Sequence, residues 1–382
     1  MATRTDQKNG SSSTQSAPRL RRSPATPSGP AWLGMVAMAR DPLSFLIRSF
    51  VENGDFVRTR IGPTRRYRYA YLAARPDYVE HVLKTNQANY IKAPTYRPIR
   101  HFLGEGLLTS EGDTWMRHRR LAQQSFYKDK LQGWVDIMAT TCGRMLDGWR
   151  APASGEPVDI SLEFSRITLA VVGRTLFHSD LTRDGSVVAP ALGTIQSHIE
   201  RRILFAFTPR LYEMVERLPT RENRRNARAT SRLDALIHEI IGGHRAEGSG
   251  EGDLLSSLMS AREAGKGLSD SELRDEAMTF LLAGHETTAN ALTWTWYLLS
   301  KNLHVLEELQ GEADSVIQGE VPTAAEVERL EFTRAVIEES MRLYPPAWLI
   351  EREATRDDEL DGYEIPAGSV VMVSPYVTHR HP

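Results

Sequence analysis

The sequence contains a single cysteine, Cys142, among 382 residues, so a disulfide within the chain is excluded. A chain with so little cysteine is expected in a reducing compartment, and we expect it in the cytoplasm. No stretch reaches the roughly 18 apolar residues of a membrane-spanning helix, and the early apolar run at 31–39 is too short for an anchor. The formal net charge of -2 shows no excess of positive charge, so nucleic acid is not an expected partner.

The composition, 41% hydrophobic and 25% charged, is that of a globular protein large enough for one big domain or two. Residues 1–29 are rich in Ser, Thr, Pro and Arg and predict a disordered polar tail before a domain at 30–382. Hydrophobic periodicity and turn residues predict a mainly α fold with a small β subdomain built from both ends of the chain. The main predicted elements are strands at 56–61, 67–73, 348–353 and 370–374, and helices at 76–84, within 114–302, at 303–317 and at 331–344.

One long helix has clear local start and stop signals. Ser269 is a suitable N-cap, Glu272 completes a capping box, and apolar periodicity continues to about Asn302. A helix of this length that is apolar on most sides is expected at the centre of the fold.

Inside this helix, Ala283-Gly284-His285-Glu286-Thr287-Thr288 places a carboxylic acid beside an alcohol in an apolar setting. Burying both costs several kcal/mol unless each finds a partner, so Glu286 and Thr287 are candidates for proton handling. Gly284 lacks the side chain that would keep a flat group away from the helix. The alternative is a core helix whose Thr287 and Thr288 bond back to the preceding turn.

Three groups of residues that each contain an arginine are further candidates for the functional site. Trp115 and Arg119, one helical turn apart, suit a carboxylate or propionate, although a core tryptophan beside a surface arginine is the favoured explanation of this pair taken alone. Arg352 lies in an apolar extended segment and either faces an anion or points to solvent from an edge strand. Glu339 and Arg342 share a helix face and are expected to pair in an apolar setting.

These motifs, in this order, resemble those of the cytochrome P450 family over residues 31–382. The resemblance implies a P450 fold and haem b, with Trp115, Arg119 and Arg352 at the propionates and Ala283 and Gly284 against the ring. It implies proton delivery by Glu286 and Thr287, and a structural role for Glu339 and Arg342. The segment His379 to Pro382 resembles the lead-in to the family's haem-ligand loop.

The function implied is a haem-thiolate monooxygenase that hydroxylates a C–H bond of a lipophilic small molecule with O2 and two electrons. The electrons would come from a ferredoxin or flavin-reductase type of donor, because no flavin or iron–sulfur segment is present. Phe280, Ala283 and residues 93–107 are expected at the substrate wall, and motif details point to the fatty-acid-hydroxylase-like branches. The basic run Arg117 to Arg120, with Lys128 and Lys130, is either a dock for an acidic partner or a solvated helix face.

The sequence departs from the family in lacking the cysteine loop that ligates the haem iron. Cys142 is expected to be a small buried residue, so no metal ligand is assigned. We therefore expect a C-terminally incomplete domain, truncated before that loop and inactive by itself. The alternative is a non-catalytic fragment that binds a lipophilic ligand. Di-iron and zinc-hydrolase alternatives lack their Glu-x-x-His and His-Glu-x-x-His spacings.

Overall fold

The computed structural model describes residues 24–27, 31–61, 69–150, 157–182, 185–247, 253–263 and 265–382. Within these ranges the fold is mainly α-helical with a small β region, as predicted. The helices are α1 Ala31–Arg40, α2 Pro42–Asn53, α3 Pro76–Glu80, α4 Arg97–Leu103, α5 Gly112–Gln123, α6 Lys128–Arg150, α7 Ile160–Phe177, α8 Gly185–Arg202, α9 Pro209–Arg217, α10 Arg221–Glu247, α11 Leu254–Ser260, α12 Asp270–Lys301, α13 Leu303–Val316, α14 Ala324–Glu328, α15 Glu331–Leu343 and α16 Pro375–Thr378.

The sheet unites strands from the two ends of the chain. The strands are β1 Phe56–Arg60, β2 Tyr69–Ala73, β3 Tyr90–Lys92, β4 Ile350–Ala354, β5 Asp358–Leu360, β6 Tyr363–Ile365 and β7 Val370–Val373. Five of them pair in the order β1-β2-β7-β4-β3, and β5 with β6 forms a separate hairpin. The four residues of β7 are all buried because this strand is central in the sheet. It pairs in parallel with β2 and antiparallel with β4.

Helix α12 lies at the centre of the helical part, as expected. It has 32 residues, about 48 Å of helix, and packs against α7, α10, α11 and α15. The Ser269 side chain accepts from the Glu272 backbone N–H while the Glu272 side chain accepts from that of Ser269, so the predicted capping box is present. The largest hydrophobic cluster joins the buried faces of α7, α8, α10, α11 and α12.

Three expectations concern the ends and the surface of the chain, and the structure contradicts the one about Cys142. The predicted disordered tail lies mostly outside the described residues, but at 24–27 Ala25 bridges to Val57 in β1, so order begins before residue 30. Cys142 is exposed on α6, and the expectation that it is buried is wrong. Its neighbour Thr141 is the residue that contacts α7, where it accepts a hydrogen bond from Arg174. Among the described residues, no helix is long and apolar enough to cross a membrane.

Candidate functional site

The residues of the α12 motif face three different directions, because successive residues of a helix point about 100° apart. Gly284 and His285 face α7. A Cβ added to Gly284 would lie 3.0 Å from Val172 Cγ2. The His285 Nε2 lies 3.0 Å from Ser165 Oγ and 3.1 Å from the Ser165 carbonyl oxygen. The steric need for glycine at 284 is therefore close helix packing, and its contact with a cofactor stays a prediction.

Glu286 points instead towards α8. The Gln196 side-chain amide donates to Glu286 Oε1 at 2.5 Å. Burial raises the pKa of Glu286 above its ordinary value, nearby Glu200 adds to the rise, and the Gln196 hydrogen bond opposes it. The raised pKa favours the protonated form of this carboxyl group more than in an exposed glutamate. By contrast, burial lowers the pKa of His285, which favours its neutral form.

Ala283 and Thr287 lie on a third, open face of α12. Both residues are exposed, and the Thr287 hydroxyl donates to the Ala283 carbonyl at 2.5 Å. Thr287 therefore forms the hydrogen bond to the preceding helical turn that is expected of a threonine in a core helix. Further along this side of the helix, Trp294 stacks on Tyr344 with ring centroids 4.2 Å apart. The open face therefore carries small side chains, the Thr287 hydroxyl and, at one end, the stacked rings of Trp294 and Tyr344.

Trp115 and Arg119 are brought together on α5 as predicted. The Arg119 guanidinium carbon lies 5.1 Å from the centre of the Trp115 ring, and Arg119 is exposed. Within the described residues no carboxylate pairs with Arg119. A guanidinium held over an indole and lacking an internal anion is a suitable receptor for a carboxylate from a ligand.

Arg352 on β4 has a cationic neighbour that the sequence did not reveal. Lys92 on β3 is its direct cross-strand partner. Arg352 donates to the carbonyl of Glu351, and the Lys92 ammonium donates to the carbonyl of Ser110. Two like charges directly opposite each other destabilise a strand pair, and an anion bound between them would relieve that repulsion.

The pKa of Lys92 reflects its burial first and the nearby positive charge second. Burial, with Arg352 and Arg100 as further contributors, lowers the pKa of Lys92 to about 8, although Glu111 opposes the shift. The Lys92 backbone N–H also donates to Glu111, the residue before α5, at 2.6 Å. The lysine therefore links β3 to the helix that carries Trp115. No local pattern marks Lys92, because β3 is too short to be recognised from its own sequence.

Glu339 and Arg342 form the predicted pair, but in a different setting. Two hydrogen bonds of 2.7 Å join the guanidinium to the carboxylate, and Arg342 also donates to the His379 carbonyl at 2.8 Å. The two side chains are 54% and 44% exposed, respectively. The expectation of an apolar setting is wrong, because both side chains are exposed to solvent.

We expect Glu339→Gln to lower the free energy of unfolding by less than about 1 kcal/mol, since water screens exposed ion pairs. Chemical denaturation followed by circular dichroism measures the change. Arg342→Ala is the matched variant, because it also removes the bond to His379 and is expected to cost more. A loss above 2 kcal/mol for Glu339→Gln alone would contradict this assignment.

The chain matches a protein-family model described as Cytochrome P450 over residues 24–382. It is 37% identical over 372 residues to Cyclooctatin synthase of Streptomyces melanosporofaciens, covering 96% of this chain and 78% of that relative. It is 35% identical to Cyclooctat-9-en-7-ol 5-monooxygenase of the same organism, covering 91% and 73% of the two chains. Pentalenene oxygenase of Streptomyces avermitilis is 32% identical, with 92% and 75% covered. The chain belongs to the cytochrome P450 family.

As a cytochrome P450 the protein is an oxidoreductase whose cofactor is haem. It is a monooxygenase that uses O2, a substrate and a redox partner. The relatives above are named for cyclooctat-9-en-7-ol and pentalenene rather than for fatty acids. These names do not support the fatty-acid-hydroxylase-like branches that the motif sequences suggested.

The basic run on α5 of this P450 is largely neutralised within the chain. Arg117 pairs with Glu272 at 2.6 Å, and Arg120 pairs with Glu263 at 2.7 Å. His118 is buried against Glu276 at 2.7 Å. The expectation of a free cationic dock is therefore not supported at these positions. The side chains of Lys128 and Lys130 lie outside the described residues.

Proposed function

We propose that this P450 hydroxylates a C–H bond of a lipophilic, terpene-like small molecule. The observation that carries the proposal is the open face of α12, where exposed Ala283 and Thr287 adjoin a half-buried Glu286 of raised pKa. Small side chains with one alcohol suit an apolar substrate, and a protonatable acid on the adjoining face suits proton-dependent oxygen chemistry. The names of the Streptomyces relatives support a cyclic substrate over a fatty acid.

The residues present fit the acidic end of a haem. Lys92 and Arg352 face each other across two strands, and Arg119 lies over Trp115 with no internal carboxylate partner among the described residues. These four side chains would hold the two propionates. Haem, when bound, supplies the oxidising chemistry that inserts one oxygen atom into a C–H bond.

The protein's own part is to hold protons beside the α12 face. Glu286 and Thr287 are neighbours in sequence, but the carboxyl group points to Gln196 and the hydroxyl to the Ala283 carbonyl. A proton held by Glu286 therefore reaches the Thr287 hydroxyl only through an intervening donor such as water. The Gln196 hydrogen bond holds the Glu286 carboxyl group toward α8.

The electron donor is proposed to be a separate ferredoxin or flavin reductase. Since Arg117, His118 and Arg120 are engaged within the chain, only Arg119 of the α5 run lacks a carboxylate partner among the described residues. Docking is therefore proposed to depend on surfaces beyond this run.

One observation favours the alternative, a non-catalytic protein that binds a lipophilic ligand. The only thiol, Cys142, lies exposed on α6, which packs against α7, and it is not part of the α12 face. Because thiolate ligation drives O–O cleavage in this family, we expect these 382 residues by themselves to lack thiolate-dependent turnover.

The cofactor proposal is tested by absorbance titration of the purified chain with hemin. We expect Arg119→Gln/Arg352→Gln to weaken hemin binding about tenfold or more, because two cationic contacts to the propionates are lost. The control Arg329→Gln/Arg334→Gln removes the same charge from exposed positions near α14 and α15 and should leave the dissociation constant within about twofold. Equal affinities of the two double variants would refute the proposed propionate site.

A second spectrum separates the enzyme from the alternative. The ferrous–CO complex of the hemin-loaded chain is recorded and compared with the red-shifted band of thiolate-ligated haem. A band without that shift, together with Arg-dependent hemin binding, supports the non-catalytic reading for this chain. A red-shifted band supports the oxygenase reading and contradicts the expected lack of turnover.

A further inference from the structure

A groove of about 550 Å³ lies between α8 and α10, away from the α12 face described above. Five arginines of α10 line one side of it, at i, i+3 or i+4 spacing along a single helix face. They are Arg221, Arg224, Arg225, Arg228 and Arg232. The opposite wall, from α8, is small and mostly apolar and includes Val187, Pro190 and Ala191.

The charge of these arginines is not balanced within the described part of the chain. All five are exposed, and none has a carboxylate within ion-pair distance among the described residues. Glu222, on the same stretch of α10, turns to α8 instead and lies 3.4 Å from Arg201 and 3.5 Å from Arg202. Further along α10, Arg245 pairs with Asp270 as a surface arginine commonly does.

An arrangement of this kind works against the stability of the helix. Like charges three or four residues apart repel, and an ordinary solvated helix face alternates the two signs. The chain as a whole has a formal net charge of -2, so the stripe is a local excess rather than a general property. A bound anion removes the repulsion and makes the arrangement favourable.

A second hollow of about 210 Å³ continues from the groove and shares Pro190, Thr194 and Arg225 with it. Asn226 lines this hollow and is only 7% exposed. The described residues offer no hydrogen-bond partner to its side-chain oxygen. A buried acceptor without a partner is rare, and a donor group on a bound ligand, such as a hydroxyl, would satisfy it.

We propose that the groove between α8 and α10 binds a polyphosphate group. Guanidinium groups bind phosphate oxygens in bidentate fashion, and the stripe spans about 16 Å of helix, more than one phosphate requires. The concave shape and modest volume fit a small molecule better than an extended polyanion. The phosphates belong either to a free organic di- or triphosphate or to a lipid headgroup, since both present the same chemistry.

The test is isothermal titration of the full chain with inorganic tripolyphosphate at low and moderate salt. We expect binding that weakens with salt, and a rise of about tenfold or more in the dissociation constant for Arg225→Gln/Arg228→Gln. Arg329→Gln/Arg334→Gln is the charge-matched control and should change it less than twofold. Without ligand, the groove variant should melt at the same temperature as the wild type or higher, because repulsion is relieved.

A parallel arm distinguishes the two sources of phosphate. Co-sedimentation is measured with phosphatidylcholine vesicles that contain or lack phosphatidylinositol bisphosphate. Groove-dependent binding of tripolyphosphate without binding of the phosphoinositide vesicles assigns a soluble ligand, and groove-dependent binding of those vesicles, with or without tripolyphosphate binding, assigns a lipid headgroup. No binding in either arm, or binding that the groove and control variants affect equally, overturns the proposal.

Discussion

Replacing His118 with alanine is expected to lower the free energy of unfolding by about 3 kcal/mol. The His118 Nδ1 lies 2.7 Å from Glu276 Oε1, and both residues are almost completely buried between α5 and α12. The other Glu276 oxygen already has no partner among the described residues. Removing the imidazole leaves a buried carboxylate without its counter-charge, which typically costs 3–5 kcal/mol.

The stability conferred by this pair should also depend on pH. The hydrogen bond to Glu276 raises the pKa of His118 above its ordinary value of 6.5, against the opposite effect of burial. Because the folded state binds this proton more tightly, the contribution is complete below about pH 6.5 and is lost as pH rises through the raised value. Urea denaturation at pH 6 and pH 8 should therefore show the wild type losing more stability than His118→Ala.

Two further variants make the result specific. His238→Ala on the exposed side of α10 should change the free energy of unfolding by no more than about 0.5 kcal/mol. His118→Leu/Glu276→Met should recover much of the loss, since an apolar pair of similar size removes the buried charge. A loss below 1 kcal/mol for His118→Ala, or no recovery in the double variant, would show that the pair does not fix α5 to α12.

The second large effect is expected at Gly106, which lies buried between α4 and α12. A Cβ at this position would lie 2.3 Å from Thr279 Oγ1 and 2.7 Å from the Asp275 carbonyl oxygen, both on α12. Neither atom can move cheaply, because one belongs to the helix backbone and the other to a stiff β-branched side chain. We expect Gly106→Ala to lower the free energy of unfolding by about 2–3 kcal/mol.

This glycine also supports the proposed haem site. Its carbonyl accepts the backbone N–H groups of Thr109 and Ser110, at 3.0 and 2.8 Å. Ser110 in turn accepts a hydrogen bond from Lys92. Displacing this loop should therefore weaken hemin binding as well as stability, and the absorbance titration measures the first effect.

The chain offers a matched control at Gly143 on α6, where an added Cβ would meet no atom within 4 Å. Gly143→Ala should raise stability by up to about 1 kcal/mol, because alanine is the better helix former. If both alanine variants moved stability in the same direction, close packing at Gly106 would not be the cause.

The sequence by itself determined the elements whose signals are local. The Ser269–Glu272 capping box fixed the start of α12, and Trp115 and Arg119 share a face because they are one turn apart. The motif order also identified the family, since each motif is read from a few adjacent residues. The site residues named for haem contact and proton delivery stay predictions.

Only the tertiary structure decided what each residue faces. In the folded chain Gly284 faces α7 and Glu286 faces α8. The Glu339–Arg342 pair is exposed to solvent, and Lys92 lies opposite Arg352. Most of the basic residues of α5 form ion pairs with acidic residues that are remote in sequence. Burial and pairing depend on contacts between segments far apart in the chain, and local periodicity carries no information about which segments those are.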